Sequence, residues 1–391
     1  MNVTKYILAT FIILATACND TEYIEAPQLP VKSVLIDNKE FGSIIDIFTM
    51  NDGVAVKRNT DYDNLSFIII HPDGTTTFTD PIPRFDKKID EATYMKFTLD
   101  HPRNNKGELF VWGTPSEDEE PTLKVAKFDS DGHLIYNKEF NDIEGIFDGM
   151  ACNNGNFVFF CQDYYEHSDT KRFVMRVIDP NGELRNYEIV LDSDLIPETV
   201  CFDDCLNYED NILIINQNEY FIFKMDGSFV NSGEFEGLCV YESNAKYANG
   251  ALYFMSLKDI WTEDYFGLQY YIHKIDSEGN LIFSKPFDVY DPSYNITINK
   301  DKLIVSGSVS RGNYDDFYGQ IWLLNSDNGN LTDSITLNYN GNVMPYVINP
   351  ASDGGYDVYL TRYKASDIWL KNENIPLYIY HTDDLRNIKV E

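Results

Sequence analysis

Three features of the sequence predict an all-β chain built from a repeated four-stranded antiparallel unit. Helical periodicity is nearly absent; short runs rich in Val, Ile, Phe and Tyr alternate with Asn, Asp and Gly clusters, the pattern of strands and tight turns. One turn recurs, as "HPDGTTTF" at 71–78, "FDSDGHLIY" at 128–136, "IDPNGELRN" at 178–186, "KMDGSFVN" at 224–231, "IDSEGNLIF" at 275–283 and "NSDNGNLTD" at 325–333. Its glycines, at 74, 132, 182, 227, 279 and 329, are spaced 58, 50, 45, 52 and 50 residues apart.

Each element of the unit follows from local chemistry. Glycine supplies the positive φ of a tight hairpin, and Asp or Asn caps the turn through its side chain. A second hairpin precedes each of these turns: "NKGELFVWG" at 105–113, "NNGNFVFFC" at 153–161, "EDNILIIN" at 209–216, "ANGALYFMS" at 248–256, "NKDKLIVSG" at 299–307 and "SDGGYDVYL" at 352–360. The unit therefore reads strand a, turn, strand b, loop, strand c, Gly turn, strand d. Four antiparallel strands in about fifty residues form a propeller blade. Seven such units fill residues 42–391, so the sequence predicts a seven-bladed β-propeller, with six or eight blades as alternatives. The turns with alternating acids (Asp129 and Asp131, Asp179 and Asn181, Asp276 and Glu278) supply too few oxygens for an EF-type calcium loop, and turn chemistry is expected there; no metal and no cofactor is predicted.

The repeat resembles those of non-WD, quinoprotein-like propellers common among bacterial surface lipoproteins. Such repeats often place Trp four residues after the turn glycine, where this chain has Phe78, Tyr136 and Phe283. Those substitutions weaken any link to quinone-dependent enzymes and leave the propeller period intact.

The N-terminus sets the expected address. "MNVTKYILATFIILATACND" has a single Lys5, an apolar run over 6–15 and small residues up to Cys18, which is the layout of a secretory signal too short to span a bilayer. "LATAC" resembles the lipobox of bacterial lipoproteins, although Ala15 stands where the family usually has Leu. The resemblance implies lipidation at Cys18, which then becomes the mature N-terminus. Asp20 and Glu22 resemble the acidic surface-export signal of Gram-negative lipoproteins. The expected organisation is a signal over 1–18, a tether over 19–32 and one propeller over 33–391, at the outer membrane or cell surface with the periplasm as alternative. The lipid would be the only membrane attachment.

The phrase "LIDNKEF" at 35–41 returns as "LIYNKEF" at 134–140 and "LIFSKPF" at 281–287. The later copies follow Gly turns and read as outer strands d. The first precedes every blade and is expected to pair with the last blade, closing the ring and removing an exposed edge. The C-terminal "LYIYHTDDLRNIKVE" brings a competing strand, so either blade seven has five strands or one claimant stays outside the sheet.

Composition excludes some functions. The chain has 391 residues, a net charge of −32 and a pI near 4.4, so nucleic-acid phosphates are repelled. G-x-S-x-G, H-E-x-x-H, C-x-x-C-H, P-loop and G-x-G-x-x-G motifs are all missing from the sequence, and a non-catalytic role is favoured. Beyond Cys18, the cysteines 152, 161, 201, 205 and 239 lack zinc spacing and are expected to be mostly buried thiols.

The a–b and c–d turns are short and alike, whereas the b–c loops vary, and functional residues concentrate on variable loops over a rigid scaffold. Four of these loops combine rings with acids: Tyr164, Tyr165, Glu166 and His167; Trp261, Asp264, Tyr265 and Phe266; Tyr314, Asp315, Asp316 and Tyr318; Tyr363, Asp367 and Trp369. A ring stacks on sugar C–H groups while a carboxylate accepts hydroxyl hydrogen bonds, and Tyr and Trp also anchor protein interfaces. The expected function is a monomeric binding propeller for a glycan or an envelope protein. A polysaccharide hydrolase or lyase using carboxylates of the same face, or a structural subunit of an outer-membrane complex, are the alternatives. Packing of these rings between blades would leave no site there.

Overall fold

Strands such as "LSFIII" (65–70) and "NILIIN" (211–216) carry apolar side chains at successive positions, so both faces of their sheet must be covered. The computed structural model shows how. It describes residues 32–36, 47–50, 53–59, 64–83, 108–113, 122–141, 143, 146–152, 154–164, 171–185, 189–190, 204–208, 211–216, 218–239, 246–262, 265–287, 295–313, 316–337, 342–363 and 375–390.

The chain opens with β1 (Lys32–Ile36), whose partner is the last strand of the fold. Sheet one contains β2 (Ile47–Met50), β3 (Gly53–Asn59), β4 (Asn64–Ile70) and an outer strand in two pieces, β5 (Thr76–Phe78) and β6 (Ile82–Pro83). Sheet two contains β7 (Leu109–Gly113), β8 (Thr122–Phe128) and β9 (Leu134–Asn141). Sheet three contains β10 (Ile146–Ala151), β11 (Phe157–Tyr164), β12 (Lys171–Ile178) and β13 (Ile189–Val190). Sheet four contains β14 (Asp204–Tyr208), β15 (Asn211–Asn216), β16 (Glu219–Lys224) and β17 (Phe229–Glu234).

In sheet five, β18 (Leu238–Cys239) and β19 (Lys246–Ala248) share the edge of β20 (Ala251–Thr262), followed by β21 (Tyr265–Asp276) and β22 (Leu281–Phe287). Sheet six runs β23 (Asn295–Asn299), β24 (Lys302–Asn313), β25 (Asp316–Asn325) and β26 (Leu331–Leu337). Sheet seven joins β27 (Asn342–Pro350), β28 (Tyr356–Tyr363) and β29 (Ile375–Thr382) to β1. The expected four strands per unit thus become three to five per sheet among the described residues.

Packing gives these sheets a circular order. On β15, Ile212 and Ile214 join the core shared with sheet three, while Leu213 and Ile215 join the core shared with sheet five. On β4, Phe67 and Ile69 face sheet two, and Ile68 and Ile70 face sheet seven. Each sheet shares such a core with the next, and the core containing Val54, Val56, Val347, Tyr359 and Ile379 returns from sheet seven to sheet one. First strands also touch around the centre: β10 with β14, β19 with β23, β23 with β27, and β27 with β2. Outer strands such as β9 and β26 alternate exposed and covered residues. A circular array of antiparallel meanders with buried inner strands and solvated outer ones is the architecture of a β-propeller.

Closure follows the first claimant. β1 pairs antiparallel with β29, with Ser33 opposite Tyr378 and Leu35 opposite Pro376, and so supplies the outermost strand of sheet seven. Of the C-terminal segment, Leu377 to Thr382 belong to β29, and the residues after it add no outer strand, the second of the two outcomes expected there. Asp384 caps a 3-10 turn at Leu385–Asn387, and Leu385, Ile388 and Val390 drop into the core between sheets six and seven. Arg386 then ties the tail to Asp333 of β26, Nη2 lying 2.6 Å from Oδ2.

All six repeated turn glycines have positive φ, between 69° and 86°. Three of the turns use the carboxylate at their start as predicted: Asp129 Oδ1 accepts the backbone N–H groups of Asp131 and His133, and Asp179 and Asp276 repeat the pattern. In the turns at Gly74 and Gly227 the Asp before the glycine takes this role, Asp73 accepting from the Thr75 amide and Asp226 from that of Ser228. Asp129, Asp131 and His133 bring ligand atoms within 4.8 Å of one another, but the Asp129 carboxylate is already committed to the turn.

The position four residues after the glycine also acquires a role. A Cβ on Gly182 would lie 2.8 Å from the Tyr136 ring, and one on Gly329 would lie 2.7 Å from the Phe283 ring. The outer-strand aromatic therefore packs beneath the next sheet's turn glycine, where no larger residue fits. Phe78 departs from this, with 55% of its surface exposed. The Tyr136 hydroxyl is buried without a hydrogen-bond partner, and burial pushes its pKa well above the usual phenol range. Tyr136→Phe should keep the ring contact, relieve the orphaned hydroxyl and raise stability by up to about 1 kcal/mol in chemical denaturation.

Two lysines seal the junctions between sheets. Lys127 of β8 is buried; its ammonium sits 2.9 Å from Glu108 Oε1, donates to the Gly155 carbonyl at 3.3 Å and lies over the Phe110 ring. Lys274 of β21 repeats the device, over the Tyr253 ring and donating to the Ser326 carbonyl at 3.0 Å. In each case the aromatic stands directly across the sheet and the carbonyl belongs to the next sheet's turn region. Lys127→Ala leaves the largely covered Glu108 without its cation and should cost about 3 kcal/mol. Pairing Lys127→Met with Glu108→Gln should restore most of it, because no buried charge is then stranded; urea denaturation of the three variants checks this.

Candidate functional site

The two ends of the circular array differ. At one end lie the short a–b and c–d turns; at the other lie the b–c connections. Sheet four closes its b–c connection tightly, with Asn216 paired to Glu219. Sheets five and six do not. Residues 257–267 and 308–319, read from sequence as loops, are largely strand: β20 continues to Thr262 and β21 resumes at Tyr265, while β24 continues to Asn313 and β25 resumes at Asp316. Residues such as Ile260, Trp261, Tyr265 and Phe266 favour extended backbone, which explains the correction.

These hairpins outrun their sheets. β22 pairs with β21 only from Tyr270 onward, and β18 reaches only to Leu257 of β20. Among the described residues, Lys258 to Thr262 and Tyr265 to Gln269 therefore form a two-stranded ribbon beyond the four-stranded part. In sheet six, β23 stops opposite Ser306 and β26 opposite Gly319, and the hairpin continues to the Asn313–Asp316 pair. The two ribbons stand on neighbouring sheets at the same end.

This end receives every predicted ligand-binding residue that lies on described backbone. Trp261 is paired with Phe266, and Tyr265 with Thr262, at the tip of the first ribbon. Asp316 begins β25, and half-buried Tyr318 stands opposite Val309 on the second ribbon. Tyr164 ends β11 opposite Lys171, and Tyr363 ends β28 opposite Asn342. Tyr165, His167, Asp264, Tyr314, Asp315 and Trp369 lie outside the described residues, as does Cys18. On the same end of sheet seven, the Arg362 guanidinium lies 4.3 Å from the centroid of the Tyr378 ring.

Below the first ribbon, His273 is fully buried against Phe254 and Phe235. Its Nε2 lies 2.7 Å from Ser256 Oγ, and that hydroxyl donates to the Glu236 carbonyl. The hydroxyl proton is thus committed, so the imidazole donates from Nε2, and Nδ1 is a bare lone pair in an apolar wall. Burial holds its pKa down at about 3, so the imidazole is neutral and packed into the core.

At the turn end, the seam between sheets seven and one opens into a cleft of about 840 Å³. His71, Asp73 and Thr75 come from the sheet-one turn, Asn349 to Asp353 from the end of β27 and the turn that follows it, and Asp357, Ile379 and His381 from β28 and β29. His381 is clamped, with Nδ1 2.8 Å from Asp357 Oδ1 and Nε2 2.8 Å from Asp353 Oδ2. The hydrogen bond to Asp357, aided by Asp353, raises the imidazole pKa. Asp353 is held below the usual carboxylate range, first by the Gly355 amide and then by His381. Across the seam, Asn349 Nδ2 donates to the Gly53 carbonyl at 2.9 Å. His71 belongs to the first blade and His381 to the last, and the pairing of the two ends brings them to one cleft.

No protein-family model and no curated protein matches the chain. Among solved structures it is similar to a protein of unknown function from Bacteroides caccae, at 8% identity and a TM-score of 0.41, covering 75% of this chain and 94% of that one. It is similar to the WD40 domain of Neurospora crassa Pan2, at 12% identity and a TM-score of 0.48, covering 90% and 94%. A third is the β-propeller domain of the Trilobed protease from Pyrococcus furiosus, at 11% identity and a TM-score of 0.44, covering 90% and 99%. The class assigned to this chain, an all-β propeller with one plain and one elaborated end, rests on its own sheet order and packing.

Proposed function

We propose that the chain is a seven-bladed, lipid-anchored propeller of the Gram-negative outer membrane or cell surface, which holds a glycan or an envelope protein at its b–c end without turning it over. The observation that carries this reading is the pair of ribbons projecting from sheets five and six. A two-stranded ribbon without further strands gains little stability of its own in water. The tip of the sheet-five ribbon carries Trp261, Tyr265 and Phe266 in register across the hairpin, residue types that anchor ligands and partners. Neighbouring acids, Asp316 among them, suit the hydroxyl groups of a sugar. Anchorage at Cys18 is compatible with the fold, because β1 lies at the outer edge of sheet seven and its first residue, Lys32 opposite Ile379, is on the turn-end side, away from the ribbons.

The test uses the soluble form lacking residues 1–18 on a glycan array, followed by analysis of any bound glycan for products. Retention of intact glycan supports the reading. Shortened or unsaturated products would replace it with the hydrolase or lyase alternative, and an envelope protein copurifying in the absence of glycan binding would point to the structural-subunit alternative. Fatty-acid labelling of the exported chain, lost in Cys18→Ser, tests the anchor separately.

A further inference from the structure

We propose that the seam cleft between sheets one and seven is a second binding site, at the opposite end from the ribbons, for a ligand carrying a primary alkylammonium group. The cleft volume of about 840 Å³ lies in the range of small-molecule sites, and its lining decides the ligand's charge. Three carboxylates line it, Asp73, Asp353 and Asp357, against two imidazoles, His71 and His381. An anion would meet three like charges.

An inorganic cation fits poorly as well. Both His381 nitrogens are engaged by Asp353 and Asp357, so this imidazole offers no free ligand atom. Among the described residues, the one group of His, Cys and acids close enough to share an ion is Asp129, Asp131 and His133, in another sheet. The cleft carboxylates are spread too widely for one ion. An ammonium group needs fewer charged partners than an inorganic ion, since one carboxylate together with neutral oxygen acceptors within hydrogen-bond reach satisfies its three donors. Pro72, Pro350, Ala351 and Ile379 supply apolar lining for the alkyl stem.

His381 tunes this site. Asp353 and Asp357 hold it from its own sheet, and His71 and Asp73 line the cleft from sheet one. While His381 is protonated it offsets part of the carboxylate charge. Losing that proton leaves the cleft more negative, so ammonium binding tightens as pH rises through the His381 titration.

The probes are n-butylamine and a lysine-containing peptide with blocked termini, with n-butanol as the uncharged control, followed by amide chemical shifts in the 15N-labelled soluble chain. Saturable shifts at Gly53, Thr75, Asp353 and His381 with either amine, absent with butanol, are expected. Asp73→Asn and Asp353→Asn should each weaken binding at least tenfold. Both variants keep the oxygen that accepts the turn amide of Thr75 or Gly355, so the turns persist while the charge is lost. His381→Gln should weaken the pH dependence of amine binding. A free amine binding as well as the peptide indicates a small-molecule ligand; binding of the peptide alone indicates a lysine side chain of a polypeptide. Equal shifts with butanol and butylamine, affinity unchanged in both Asn variants, or displacement of the amine by millimolar calcium would each overturn the proposal.

Discussion

A chain that begins at residue 42, without β1, is expected to lose about 3–5 kcal/mol of unfolding free energy relative to one that begins at residue 32. The figure comes from the antiparallel pairing of β1 with β29, registered from Lys32 opposite Ile379 to Ile36 opposite Ile375, at roughly 1 kcal/mol net per backbone hydrogen bond. The loss goes beyond hydrogen bonds. β29 carries Leu377 and Ile379, which seal the core between sheets seven and one, and an unpaired β29 would present a free edge to other chains. The shortened chain should therefore also associate at high concentration, seen by size-exclusion chromatography with light scattering. Deleting residues 1–31 instead leaves β1 whole and should leave the unfolding curve unchanged. Equal curves for chains starting at 32 and 42 would show that β1 does not close the ring.

Acid should destabilise the fold through His273. In the folded chain this imidazole stays neutral down to about pH 3, whereas in the unfolded chain it takes a proton near the ordinary histidine value of about 6.5. Below that value the unfolded state binds a proton that the folded state refuses, so stability falls as pH drops. The slope is about 1.4 kcal/mol per pH unit between roughly 6.5 and 3, and there is no contribution above 6.5. His381 acts in the opposite sense: its raised pKa gives stability that is present below pH 6.5 and lost as pH rises through the folded value. His273→Gln keeps a donor toward Ser256 and removes the titration. Its unfolding free energy, subtracted from that of the native chain, should therefore change by about 2 kcal/mol between pH 6.5 and 4.5. A difference that is constant over that interval would place a charged or solvated imidazole at this position.

Much of the architecture was legible because it is written locally. A glycine at 74, 132, 182, 227, 279 or 329 needs no distant partner to adopt positive φ, and Asp129 or Asp276 caps its own turn. The identity of the closing strand was not local. β1 and the C-terminal tail both present apolar residues in extended patterns, and the decision came from Leu385, Ile388 and Val390, which the gap between sheets six and seven can bury and a strand would not. Strand length at the b–c end was also misread. "LKDIWTEDYFG" contains acids and a glycine that read as loop, yet cross-strand pairs such as Trp261 with Phe266 extend the hairpin through it. The seam cleft had no signal within any window of sequence, since His71 and His381 meet only when the ring closes.

The direct measurement of the binding-face account is the affinity of the ribbon variant. Trp261→Ala combined with Phe266→Ala removes a ring pair registered across the tip of the sheet-five ribbon, beyond the reach of β18 and β22, so the folded core should be preserved in thermal melting. On the glycan array, the form lacking residues 1–18 should retain its ligands, and the double variant should retain them at least tenfold more weakly, the scale of an aromatic anchor. Equal retention by the two proteins would contradict the account and move the site away from the ribbons.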